Sequence, residues 1–104
     1  MIVIDGDLSG SVFTEAEFVD VSFAGTQMSS VLFSDSNLTS IRISNCNMKY
    51  GSLERAVLVA ARLYKVKMNM GNLGAALAVN AQFRKCSFVD SNCAEADFSR
   101  SYFY

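Results

Sequence analysis

The sequence predicts an all-β fold in which parallel strands wind into a square coil, and three observations carry that prediction. Every fifth residue from Val3 to Phe103 is apolar, 21 positions without a dropped beat; with about half the residues apolar, chance yields such a column roughly once in a million shuffles. From Gly6 onward the residue two places before each is small or β-branched, as in Ser11, Ala16, Val21, Thr26, Val31 and Ser36. A period of five fits neither the 3.6-residue helix nor the two-residue alternation of a strand. It suits a chain that turns a corner every five residues, so that four corners close a coil and each coil stacks on the last at a strand spacing of about 4.8 Å. Over 104 residues this makes about five coils and a short rod roughly 25 Å long.

The repeat also has a signature. Gly6-Asp7-Leu8, Ser36-Asn37-Leu38, Cys46-Asn47-Met48, Gly71-Asn72-Leu73 and Ala96-Asp97-Phe98 resemble the A(D/N)Lxx motif of the pentapeptide-repeat family, and the resemblance covers essentially the whole chain. It implies a right-handed quadrilateral parallel β-helix whose third-position side chains point to the axis. First-position side chains also point inward on that model, so they must be small. Four core columns follow. Val3, Phe23, Ile43, Leu63, Phe83 and Phe103 stack on the first face, and Leu8, Met28, Met48, Met68 and Phe88 on the second. Phe13, Phe33, Leu53, Leu73 and Cys93 take the third, with Phe18, Leu38, Leu58, Ala78 and Phe98 on the fourth. Each large apolar side chain buried contributes about 1.5–3 kcal/mol, most of it offset by backbone ordering. Ala78 and Cys93 are undersized for their columns, so the loosest packing is expected in coils four and five.

One stretch carries a competing signal. Ser52 to Val66 has an N-cap serine followed by Leu53, Val57, Leu58 and Ala61 at helical spacing. Yet Leu53, Leu58, Leu63 and Met68 keep the five-residue beat through it, and a helix here would sever the stack. The coil is expected to override the local propensity.

The totals describe one domain, residues 1–104, with 51% of residues hydrophobic, enough for a sizeable core. There is no His, hence no imidazole for general-base work and none of the commonest metal ligand. The 14 serines fall mostly at turn-suited repeat positions, and only a Lys could activate one. The Glu15 and Glu17 carboxylates face outward, with no cleft to shift a pKa, and GNLGAA from Gly71 is repeat spacing, not a phosphate loop. The chain is therefore expected to be no enzyme and to take no cofactor. Cys46 and Cys86 occupy first positions and Cys93 a third position, so each is expected to be a buried small hydrophobe. No C-x-x-C pairing points to a metal. The thiols favour a reducing compartment, the start MIVIDGDL lacks the basic lead of a signal peptide, and the longest apolar run, Ala56 to Ala61, is too short to span a bilayer. The expectation is a cytoplasmic protein with no membrane contact.

Function then has to lie on the outward positions two, four and five. Charge is segregated along the chain: residues 1–41 carry six acids and no Lys or Arg, whereas residues 42–85 carry eight basic groups against Glu54 alone. Lys65, Lys67 and Lys85 fall at the corner between the first and second faces, with Arg42 and Arg62 stacked on the first, making a basic face. Glu15, Glu17, Asp35, Glu95 and Asp97 cluster at the diagonally opposite corner. Such segregation either aids solubility or forms a docking face for a charged partner. No aromatic interleaving or groove-reading motif accompanies the basic groups, so nucleic acid is not the expected partner. Apolar residues give a second signal. The family places polar residues at position two, and the chain departs from this at Val57 and Leu77. With Val59 and Val79 they form an apolar block on the fourth face of coils three and four, flanked by Ala60 and Ala75. Val12 and Leu32 make a smaller pair on the third face. β-branched residues suit exposed strands, but a contiguous patch also marks a contact surface.

The expected function is thus a non-enzymatic β-helical scaffold for protein–protein interaction with a partner the sequence does not name. The alternative comes from the resemblance: some members of the family resemble duplex DNA in width and charge and bind DNA gyrase, protecting it from quinolones. A basic middle and a short rod argue against that mimicry. The chain finishes Tyr102, Phe103, Tyr104, with Phe103 expected over Phe83 and its outer side uncovered. Two such ends meeting about a two-fold axis would cover both, so a homodimer through the C-terminal coil is expected.

Overall fold

The computed structural model describes residues 2–104. Six short strands, β1 (Ile2–Ile4), β2 (Ser22–Ala24), β3 (Arg42–Ser44), β4 (Arg62–Tyr64), β5 (Gln82–Arg84) and β6 (Tyr102–Phe103), stand in chain order in one sheet. All pairings are parallel, and each steps one coil: Val3 pairs with Phe23, then Ile43, Leu63, Phe83 and Phe103. The other three faces are held by single parallel bridges at the same spacing. They run Asp7–Gln27–Asn47–Lys67–Ser87, Val12–Leu32–Ser52–Asn72–Asn92 and Glu17–Asn37–Val57–Leu77–Asp97. The result is an all-β solenoid of about five coils, with no helix among the described residues. Its extents of 31 × 27 × 25 Å make it a block barely longer than it is wide, less of a rod than the coil count suggests.

The corners explain the beat. At three of the four, the first-position N–H donates to the carbonyl three residues back, as from Ser11 to Leu8 (3.0 Å), Ala16 to Phe13 (3.2 Å) and Ile41 to Leu38 (3.1 Å). The corner between the first and second faces has no such bond in any coil among the described residues. Every fifth-position residue from Asp5 to Arg100 has positive φ, between 53° and 74°, and only Gly10 and Gly25 among them are glycine. A side chain in this left-handed region costs roughly 1–2 kcal/mol. From Asp5 to Lys85 these residues donate their N–H to the next coil, as Glu15 to Ser34 (3.0 Å) and Ala60 to Val79 (3.0 Å), and those bonds support the conformation.

The interior follows the columns. Phe33, Leu38, Met48, Leu53, Leu58, Met68 and Leu73 are fully buried, and so are the first-position Val31, Ile41, Ala56, Ala61 and Val66. Polar first-position residues find acceptors within reach: Ser36 Oγ donates to the Phe13 carbonyl (2.6 Å) and Thr26 Oγ1 to that of Ala24 (3.2 Å). No buried side-chain nitrogen or oxygen among the described residues lacks a partner. Ser52 to Val66 stays in the coil, because Leu53, Leu58 and Leu63 are each buried by the coils above and below.

One packing expectation is corrected, that for the cysteines. Ala78, though small, is fully buried. Burial falls at both ends of the solenoid. Leu8, Phe13 and Phe18 in coil one and Phe88 and Phe98 in coil five are only partly buried. Cys93 is exposed and Cys86 half-buried; only Cys46 is the buried thiol expected of all three. The reason is that an end coil has a neighbour on one side only.

Candidate functional site

The outward surface is organised by one local hydrogen bond. A second-position Asn or Asp turns its Oδ1 back to the N–H two residues on: Asp7 to Ser9 (3.0 Å), Asn37 to Thr39 (3.1 Å), Asn47 to Lys49 (3.1 Å), Asn72 to Gly74 (2.9 Å), Asn92 to Ala94 (3.0 Å) and Asp97 to Ser99 (2.9 Å). This is the Asx turn, which fits a chain that bends at the next residue. Hydrogen bonding from Ser9 holds the Asp7 carboxyl below the usual carboxylate range, and Ser99 does the same for Asp97.

The fourth-face patch gives this bond up. Val57 and Leu77 are direct partners on adjacent coils, and the N–H groups of Val59 and Val79 have no protein acceptor among the described residues. The structure places all four side chains on one face. Leu77 is 38% exposed and the other three are half-buried, with exposed Ala60 and Ala75 beside them. Val12 and Leu32 pair on the third face. Not anticipated from the sequence is a third apolar group at the corner between the second and third faces, where Tyr50, Met70 and Val89 are 58%, 45% and 60% exposed. The signal was present: positions 50 and 70 share the twenty-residue register.

The basic residues divide across the first face. Arg42 and Arg62 are direct partners on β3 and β4, lining a shallow groove with Asp20, Ser22 and Ser40. Lys65, Lys67 and Lys85 line a second groove on the opposite edge, with Gln27, Asn45, Asn47 and Ser87. Between the edges lies Arg84, absent from the sequence-based set. Its guanidinium lies 5.5 Å from the Tyr64 ring centre and 6.0 Å from that of Tyr104, while Lys65 Nζ lies 5.2 Å from Tyr64. The twenty-residue spacing of Tyr64, Arg84 and Tyr104 was the legible clue.

The acidic corner is less acidic than its sequence suggests. Arg55 enters it from the next coil and forks onto Asp35, with Nε to Oδ1 at 2.7 Å and Nη2 to Oδ2 at 3.0 Å. Arg55 also reaches Glu54 at 3.2 Å. The Arg55 hydrogen bond holds the Asp35 carboxyl below its usual range.

At the C-terminal end, Phe103 stacks on Phe83 (4.7 Å, 9° between planes) and meets Phe98 edge-on at 5.2 Å. Phe103 is nonetheless 53% exposed, with Tyr102 and Tyr104 at 65% and 62%. Among the described residues no group of Cys, Asp and Glu converges to hold a metal ion, and no helix is long and apolar enough to cross a membrane.

These surfaces stand on a chain whose residues 4–35 and 72–103 match the family model for pentapeptide repeats, in eight copies. The unmatched residues 36–71 keep the same coil geometry. No curated protein sequence matches the chain. Among solved structures it is similar to Rfr23, a pentapeptide repeat protein from the cyanobacterium Cyanothece 51142 (TM-score 0.95, 12% identity, covering 100% of this chain and 85% of that one). It is also similar to HetL from the cyanobacterium Nostoc, a pentapeptide repeat protein involved in heterocyst differentiation regulation (TM-score 0.89, 16% identity, 94% of this chain and 47% of that one). A trypsin-treated form of QnrB1, a plasmid-mediated fluoroquinolone resistance protein, gives a TM-score of 0.55 at 16% identity, over 99% of this chain and 51% of that one. The chain thus spans about half the length of HetL and QnrB1.

Proposed function

Since the chain belongs to the pentapeptide-repeat family, we propose that it is a non-enzymatic β-helical scaffold that binds another protein through its fourth face. The observation that carries this reading is the pair Val57 and Leu77. Asn or Asp at these positions would each add a hydrogen bond, worth about 0.5–1.5 kcal/mol net, yet the chain keeps two branched apolar side chains there, in register and outward. Stability given up at a surface position is a mark of function. The three thiols, with no disulfide among them, suit the cytoplasm.

The test is the double variant Val57→Asn, Leu77→Asn. It should melt at or above the wild-type temperature and capture less partner, or self-associate less, than the wild type. A destabilised variant would make these side chains structural and remove the contact surface. The gyrase-binding alternative draws less support from the surface. Arg55 neutralises Asp35 at the acidic corner, and the basic first face interrupts what a DNA mimic needs as a continuous negative surface. Inhibition or drug protection of gyrase supercoiling at micromolar protein would reinstate it.

A further inference from the structure

We infer that the first face of coils three to five is a docking strip for a short acidic protein segment, a second binding surface chemically distinct from the apolar patch. Arg42, Arg62, Lys65, Lys67, Arg84 and Lys85 are all exposed. None has an acidic partner: the ion pairs among the described residues are both made by Arg55, at the far corner. Like charges set directly opposite on neighbouring strands are unfavourable, and Arg42 faces Arg62 in this way. An anion lying between such groups turns the repulsion into attraction.

The strip is also partly held in place. Tyr64 and Tyr104 stand on either side of Arg84, and Tyr64 carries Lys65 as well. Cation–π contacts of this kind restrain long side chains that would otherwise lose rotamer freedom on binding. The neutral donors Gln27, Asn45 and Asn47 line the lysine groove and suit carboxylate oxygens.

Its extent selects the occupant. Residues 1–41 carry six acids and no base, and one of them, Asp20, lines the Arg42 and Arg62 groove, so the positive strip is bounded by acid on its N-terminal side. At the usual strand spacing, three coils span roughly 10–15 Å. That length suits an extended peptide bearing a few carboxylates, whose same-side residues recur about every 6.6–6.8 Å. A nucleic-acid strand running on along the solenoid would meet the acidic first coils.

The test is fluorescence anisotropy at low ionic strength with a labelled peptide of alternating Glu and Ser, a matched peptide of alternating Gln and Ser, and a labelled oligothymidylate. The Glu peptide should bind, weaken with salt, and lose affinity about tenfold or more in the double variant Lys65→Glu, Lys85→Glu. The Val57→Asn, Leu77→Asn variant should bind it as the wild type does, which separates this strip from the fourth-face reading. Equal binding of the Gln peptide, no saturable binding of the Glu peptide, or an undiminished affinity in the charge-reversed variant would overturn the proposal. Tighter binding of the oligothymidylate would overturn it in favour of nucleic acid. Far-UV spectra of the exposed-lysine variant establish that a loss is not unfolding.

Discussion

The middle coils and the two end coils are written in the same five-residue grammar and end up in different physical states. Phe33 is fully buried, whereas Phe13, one coil earlier in the same column, is only partly covered. Leu73 is fully buried and Cys93, one coil later, is exposed. The position in the repeat assigns the direction of a side chain, but the neighbouring coil provides its burial. In a one-dimensional stack, stability is a sum of such neighbour terms, and each end lacks one. Both proposed surfaces have their centre on the middle coils, where the backbone is held from both sides, while the proposed dimer contact uses the incomplete end.

The strongest way to break this comparison is a carboxylate in the column. Leu63→Asp, in coil four, should abolish cooperative unfolding, because an unpaired carboxylate would face the axis. Val3→Asp, at the same repeat position in coil one, should leave a folded core with a frayed first coil, since there the carboxylate reaches solvent. Lys65→Asp should change stability by no more than about 0.5 kcal/mol. Thermal melts followed by circular dichroism decide the matter; equal losses at Leu63 and Val3 would mean that burial is not set by neighbours.

A smaller effect is expected at the other end. The exposed outer side of Phe103 should make the 104-residue chain a homodimer. Phe103→Asp should sediment as a monomer while its far-UV spectrum stays β-rich. A monomeric wild type across micromolar concentrations would show that the exposed rings are not covered by a second copy.

The smallest effect concerns acid. The Asp7, Asp35 and Asp97 carboxyls are all held below their usual range by hydrogen bonds, from Ser9, Arg55 and Ser99 respectively. A carboxyl depressed on folding stabilises the folded state above its unfolded pKa of about 3.9, and that contribution is lost as pH falls through the lower folded value. Asp7 and Asp97 belong to the end coils. Hydrogen exchange from pH 5 downward should therefore show coils one and five losing protection before coils two to four; a uniform loss would place the acid-sensitive contacts elsewhere.

How much of this could be read without coordinates follows from what a linear repeat encodes. The five-residue beat alone placed Leu53, Leu58 and Leu63 on the axis against a credible helical signal, because register is a property of sequence spacing and every coil repeats it. The same spacing put Val57 beside Leu77 and Arg42 beside Arg62. Three things needed the tertiary structure. The left-handed corners are invisible in residues such as Tyr50, Met70 and Ala60, which hold positive φ while donating their N–H to the next coil. The pairing of Arg55 with Asp35 depends on which way two long side chains turn at a shared corner. The exposure of Cys93 depends on its coil having a neighbour on one side only among the described residues. Direction is local and periodic, so the sequence determined it; burial and charge pairing belong to neighbours twenty residues away, and only the stacked coils decided them.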